Sequence, residues 1–254
     1  MTFSEIGAPN DLVMALAKQN ITEPTPIQTA AYPVLTLGKD AYLCAETGTG
    51  KTLAYLLPLF GRLDAQQAST QLAIVAPTHE LALQIHRQCG ELAQNAGRPV
   101  RSLLLVGGTL IARQIEKLKT KPHIVVGSPG RLRELIQLKK LKAHQIRCVV
   151  IDEADRLLSA EGEPSIRELL HVMPRDRQLV FVSATEQRES AAAVGRLSPG
   201  VTLLRTAAVP INAQLEHQGL LCEERDKPDV LRSLLHALKG AHVLVFVHRT
   251  ETAE

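Results

Sequence analysis

"AYLCAETGTGKTLAYLLP", residues 41–58, joins three patterns in a single run. Residues 41–45 are apolar on both faces, as in a strand covered from both sides. Gly48 and Gly50 break that pattern, and a run with helical spacing follows from Lys51. Strand, glycine loop and helix in this order make a phosphate cradle. The glycines let the backbone curl so that several N–H groups point inward. The helix start adds the positive end of its dipole. Glu46, Thr47 and Thr49 complete the loop. Lys51 is expected to reach the β- and γ-phosphates of a nucleotide, and Thr52 to offer its hydroxyl to Mg²⁺. Ala45 stands where such loops usually carry their first glycine.

A phosphate cradle that does chemistry needs a metal-holding acid at the end of another strand. "VVIDEAD", residues 149–155, supplies one. An apolar run ends in Asp152 and Glu153, at the strand edge where open α/β sheets bind ligands. Asp152 is placed to hold Mg²⁺, partly through water, and Glu153 to orient and polarise an attacking water. Adjacent carboxylates repel each other, so keeping both ionised needs a cation nearby. Asp155 by itself reads as an acid favouring its own helix start.

Outward from these two motifs, short apolar runs alternate with helical patterns. Strands are expected at 41–45, 71–76, 101–106, 123–127, 147–152, 178–183 and 201–205, with helices at 79–96, 109–119, 130–138 and 186–197. That alternation specifies an α/β fold, a mostly parallel sheet with helices on both faces. At 206–212, "TAAVPIN" breaks the pattern and reads as a linker. A strand-like "EHQGLLCE", a helix "DVLRSLLHALKG" and a closing strand, Val243 to Val247, then suggest one unit of a second sheet. Such a unit cannot bury both faces by itself, so residues 208–254 are expected to be the least ordered.

The 254 residues are 45% hydrophobic and only 3% aromatic, so the core must be built from Leu, Val, Ile and Ala. No apolar run has the length of a membrane span, and the N-terminus lacks the pattern of a secretory signal. Four scattered cysteines argue for reduced thiols in the cytoplasm rather than a disulfide framework or zinc site. The net charge is +3, yet residues 113–147 carry ten Lys/Arg against two Glu, a local +8. This stripe reads as a footprint for a polyanion; the alternative is a solvated lysine-rich surface.

Taken together, these motifs resemble the DEAD-box RNA helicases, in order and over nearly the whole chain. The resemblance implies a RecA-like first domain, residues 1–207, and the incomplete start of a second, residues 208–254. It implies ATP, Mg²⁺ and RNA as ligands. "EPTPIQ" (23–28) is similar to the family's adenine-reading motif, so Gln28 would contact the adenine edge and Phe3 pack at that end. Ile21 replaces the usual stacking aromatic. "PTHELALQI" (77–85), "VGGT" (106–109) and "SPGR" (128–131) are similar to its RNA-contacting motifs. They nominate Pro77, Thr78, His79, Gly108, Thr109, Ser128, Pro129, Gly130 and Arg131. "SAT" (183–185) is similar to the motif through which Ser183 and Thr185 couple hydrolysis to domain movement.

The RNA motifs also make physical sense. Thr78 and Ser128 fall where helices begin and can cap them, with Pro129 in the favoured first position. Helix N-termini offer free N–H groups to phosphate oxygens, and Arg131 adds a charged fork. Such contacts read a backbone without reading bases.

Three departures carry consequences. His79 replaces an arginine and offers one donor in place of a fork. "EQRES" (186–190) and "SAEGEP" (159–164) differ from the usual segments after their motifs. No match to the arginine motifs of a second domain is present. The expected activity is therefore ATP-dependent RNA unwinding or remodelling, weak in this chain alone. Two other readings stay open: a non-catalytic ATP- or RNA-binding module acting through partners, and a different phosphate-loop ATPase such as a DNA translocase.

Overall fold

The computed structural model describes residues 1–206, 216, 218–238 and 242–246. The chain divides into two compact units, Met1–Val209 and Pro210–Glu254.

Seven short strands form the centre of the first unit: β1 (Ala41–Cys44), β2 (Leu72–Val75), β3 (Ser102–Leu105), β4 (Ile124–Gly127), β5 (Cys148–Ile151), β6 (Gln178–Ser183) and β7 (Thr202–Arg205). They lie in the order β3-β4-β2-β5-β6-β1-β7, and every pairing is parallel. Among the described residues of this unit nine α-helices accompany them, two before β1 and seven between strands: α1 (Asn10–Ala17), α2 (Pro26–Thr36), α3 (Lys51–Arg62), α4 (His79–Ala96), α5 (Ile111–Leu118), α6 (Pro129–Gln137), α7 (Ala154–Leu157), α8 (Glu163–His171) and α9 (Arg188–Leu197).

The sheet has two cores because its strands are apolar on both faces. Leu43, Ile74, Val126, Val150 and Val180 point to one side and pack with α1–α4. Their neighbours Tyr42, Val75, Val125, Val149 and Phe181 point to the other and pack with α6–α9. This is period-two alternation with both sides buried. Helix ends are set by local chemistry. Gly50, at φ 84°, starts α3, and Gly97, at φ 65°, ends α4. Both conformations suit glycine, which has no Cβ to clash.

In the second unit the described residues contain one α-helix, α10 (Lys227–Ala237). The strand expected at "EHQGLLCE" does not form: Glu216 and residues 218–223 carry no strand. The strand expected from Val243 to Val247 is also corrected over residues 243–246, which carry none; Val247 lies outside the described residues. Val243, Leu244, Val245 and Phe246 are exposed. An apolar run becomes a strand when neighbours satisfy its backbone, and among the described residues no strand pairs with these four.

Candidate active site

A parallel sheet places every strand's C-terminal end on the same edge, so its order fixes which loops are neighbours. Along this edge the loop after β3 carries Gly108 and Thr109, and that after β4 carries Ser128 and Arg131. Pro77, Thr78 and His79 follow β2, and Asp152 and Glu153 follow β5. Ser183 ends β6, and the glycine loop follows β1. β1 and β5 are two strand spacings apart, about 10 Å. The edge thus has two halves: phosphate cradle and acids on one, three helix-capping or glycine turns on the other.

The cradle is held from behind. Gln28 is buried; its Oε1 accepts from Thr25 N at 3.0 Å and its Nε2 donates to Gly50 O at 3.0 Å. A Cβ on Gly50 would stand 2.4 Å from Gln28 Nε2, so this approach requires the glycine. Phe3, expected at the adenine end, lies inside the core at 1% exposure, and Ile21 packs at the margin of the same core. Lys51 Nζ donates to Ala45 O at 2.6 Å and to Glu46 O at 2.8 Å, and burial holds its pKa below the ordinary lysine value. Its present partners are carbonyl dipoles rather than a charge, and a bound phosphate offers it a full one.

The acids are poised opposite. Asp152 is 5% exposed, and burial raises its carboxyl pKa above the usual range. Tyr55, fully buried on α3, donates from its hydroxyl to Asp152 Oδ2 at 2.9 Å, while Glu153 N donates to Oδ1 at 2.9 Å. Glu153 itself has φ 50°, a left-handed conformation that costs a side-chain-bearing residue roughly 1–2 kcal/mol. Strain of this kind concentrates at functional sites. Thr185 Oγ1 donates to Asp155 Oδ2 at 3.0 Å, and Ser183 Oγ donates to Thr185 O at 2.5 Å, so the loop after β6 is tied to the acidic turn after β5.

A cleft of about 380 Å³ joins Gly48, Lys51 and Thr52 to Asp152, Glu153 and Ser183. Gln84 and Gln88 of α4 also line it, and Gln88 Oε1 is buried without a hydrogen-bond partner. Sequence reasoning missed both glutamines, although their spacing from Leu81 puts all three on one helix face. It also missed Tyr55, which reads as core.

On the other half, Thr78 caps α4 by accepting from Leu81 N at 3.2 Å. Ser128 precedes α6 as expected, but its side chain makes no capping bond. Arg131 is largely turned inward. It donates to Thr109 O at 3.2 Å and to Gln114 Oε1 at 2.9 Å, and pairs with Glu134 at 3.0 Å. Gln114, buried and also unforeseen, donates to Val106 O at 2.8 Å, so it locks the two glycine turns together. His79 is exposed. The basic stripe does not form a single footprint here. Lys119, Lys121, Lys139, Lys140, Lys142 and Arg147 lie in the turns leading into β4 and β5, at the opposite end of the sheet.

The DEAD/DEAH box helicase family model matches residues 25–194, which contain all but one of these site residues. The chain belongs to the DEAD/DEAH box helicase family. It is 39% identical over 225 residues to the DEAD-box ATP-dependent RNA helicase CshC of Bacillus cereus, covering 89% of this chain and 57% of that protein. It is 39% identical over 226 residues to the probable ATP-dependent RNA helicase YfmL of Bacillus subtilis, covering 89% of this chain and 59% of that one. The chain therefore spans a little over half the length of these relatives. Among solved structures, S. cerevisiae Dbp5 bound to RNA and ADP BeF3 is similar over 99% of this chain and 64% of its own, with TM-score 0.86 and 27% identity. The fold is RecA-like, as expected. Among the described residues, no helix is long and apolar enough to cross a membrane.

Proposed function

We propose that residues 1–207 are the first RecA-like domain of an ATP-dependent RNA helicase, that residues 208–254 begin a second, and that the whole protein couples ATP hydrolysis to local RNA unwinding or remodelling. One observation carries this reading: a single sheet edge sets a phosphate cradle with two acids beside three backbone-reading turns. The 39% identity to named ATP-dependent RNA helicases supports it.

In this reading the loop of Ala45, Glu46, Thr47, Gly48, Thr49 and Gly50 wraps the nucleotide phosphates, and Lys51 turns from its carbonyls to the β- and γ-oxygens. Gln28 reads the adenine edge, with Phe3 supporting it from the core. Thr52 and Asp152 hold Mg²⁺, Asp152 partly through water. The buried Asp152 carboxyl, lining the same cleft as Thr52, fits such an ion. When bound, the ion neutralises charge between the β- and γ-phosphates. Glu153 orients a water in line with the γ-phosphorus. The new O–P bond forms as the bond to the β-bridging oxygen breaks, giving ADP and phosphate. Ser183 and Thr185 relay the change to the acidic turn they already grip.

RNA lies across Pro77, Thr78, His79, Gly108, Thr109, Ser128, Pro129, Gly130 and Arg131. The donors there are backbone N–H groups, the hydroxyls of Thr78, Thr109 and Ser128, the His79 imidazole and one guanidinium, all suited to phosphate oxygens, so binding is to phosphates and independent of sequence. A cytoplasmic location fits the free thiols, of which Cys44, Cys89 and Cys148 are buried.

The test is nucleotide binding by this chain and RNA-stimulated ATPase of a longer one. Lys51→Ala should abolish Mg-ATP binding without changing the fold. RNA, and not DNA of the same length, should stimulate hydrolysis. Equal stimulation by DNA would favour a translocase.

A further inference from the structure

The sheet's other edge, where the strands begin, is strongly basic. The turn into β3 holds Arg101, that into β4 holds Lys119 and Lys121, and that into β5 holds Lys139, Lys140, Lys142 and Arg147. Arg175 and Arg177 precede β6, and Lys39 precedes β1. All are exposed except the half-buried Arg177. From β3 to β1 the sheet order gives five strand spacings, a row of about 24 Å. Local contacts draw the row together: Arg101 donates to Thr120 O at 3.1 Å and Lys121 O at 3.2 Å.

The acids on this edge are few and mostly engaged. Glu116 pairs with Lys119 at 2.6 Å, and Asp176 stands 3.9 Å from Arg147. Asp40 accepts from Leu179 N at 2.8 Å and Ser198 Oγ at 2.6 Å, and Asp64 accepts from Gln66 N at 2.9 Å. Beside Asp40 a cleft of about 400 Å³ is lined by Lys39, Arg175 and Arg177, and Arg177 Nε is buried without a hydrogen-bond partner.

The backbone gives a second, independent observation. Helix α6 ends in a Schellman turn: Lys140 N donates to Leu135 O at 2.9 Å and Lys139 N to Ile136 O at 2.8 Å. Lys139 takes the left-handed position at φ 57°. Glycine is the usual residue there, and α4 uses Gly97 at the corresponding place. Lys121 is left-handed too, at φ 53°, in the turn into β4, two strand spacings along this edge from the turn into β5. Two lysines of this basic row thus occupy strained positions where glycine would be easier.

We propose that this edge is a second polyanion surface, which holds the duplex flank of an RNA whose single-stranded part lies on the motif edge. Its composition favours nucleic acid over an acidic protein. Lysine is depleted in protein interfaces, which rely on apolar and aromatic anchors. The exposed apolar residues here, Leu37 and Leu138, stand singly just past the ends of α2 and α6, which cover opposite faces of the sheet. A row of solvated cations is what phosphate neutralisation needs.

The experiment compares two RNAs by fluorescence anisotropy across a salt series. One is a single strand of about 8 nucleotides. The other is the same strand extended by about 20 base pairs, long enough at roughly 3 Å per pair to reach the far edge. Replacing Lys139, Lys140 and Lys142 together by Ala should leave the short strand within about twofold. It should weaken the extended RNA about tenfold and lower its salt slope by roughly 2–3. The Lys121→Gly, Lys139→Gly variant should bind the extended RNA more weakly while melting at a higher temperature, which separates lost binding from lost folding. Unchanged affinity for the extended RNA, or equal loss on both RNAs, overturns the proposal. So does polyglutamate that displaces the extended RNA as well as RNA of equal charge does. If the short strand fails to bind while the extended one binds through these lysines, the motif-edge reading fails and this edge stands as a duplex-binding surface without it.

Discussion

Asp152 is buried, and its environment resists the charged form. Burial lifts its pKa above the ordinary carboxyl value of 3.8, while the Tyr55 hydroxyl and the Glu153 N–H partly offset that. The linkage follows in sign. Between 3.8 and the raised folded value the folded chain binds the extra proton, so stability falls as pH rises through this window. Above it the cost is constant. Asp152→Asn removes the cost and keeps the contacts, since the amide can accept from Glu153 N and donate to the Tyr55 oxygen. We expect it to stabilise the nucleotide-free chain at pH 8 by about 0.5–2 kcal/mol in urea unfolding, with the gain shrinking toward pH 4. Mg-dependent nucleotide binding should be lost in the same variant. An Asn chain less stable than the original at pH 8 would show that Asp152 is held there for packing and not against its own desolvation. The acid was readable in sequence because it ends an apolar run. Tyr55 was not, because a tyrosine among leucines at helical spacing looks like core until its hydroxyl is seen 97 residues along the chain from its partner.

At the scale of elements, the two helices that open the RNA half look alike in sequence and differ in structure. Both follow a strand and begin after a hydroxyl residue. Thr78 spends its oxygen on Leu81 N, whereas the Ser128 side chain makes no capping bond. Thr78→Ala should therefore cost the free chain about 1 kcal/mol, within the usual 0.5–2 kcal/mol for a lost cap. Ser128→Ala should cost near zero. Paired urea titrations measure both, and equal losses would mean that Ser128 caps α6 in solution. Strands and helices themselves were legible, since four-residue apolar runs between helical patterns have few other readings. Their order across the sheet was not, because it depends on which helix covers which face. The closing run at residues 243–246 was misread for a related reason: its pattern says strand, but a strand exists only beside another.

For the whole molecule, the sheet order explains why short motifs far apart in sequence act together, and it also separates what sequence had merged. The basic stretch 113–147 is continuous along the chain, yet helices α5 and α6 each carry it from one edge of the sheet to the other. Arg131 stays among the motifs while the lysines collect at the far end. The two compact units also differ in how they are held. β5 is paired on both sides, by β2 and β6, and its four residues are buried. Helix α10 has eleven residues and no buried one, with Leu234 and Leu235 each 39% exposed. An isolated helix of that length is marginal in water. Amides at the centre of a sheet open only with global unfolding, whereas those of an uncovered helix open at almost no cost. With a typical domain stability of about 5–15 kcal/mol, hydrogen exchange at Cys148–Ile151 should be slower than at Lys227–Ala237 by a factor on the order of 10³ or more. Comparable protection in the two segments would mean that the leucine face of α10 is covered in solution.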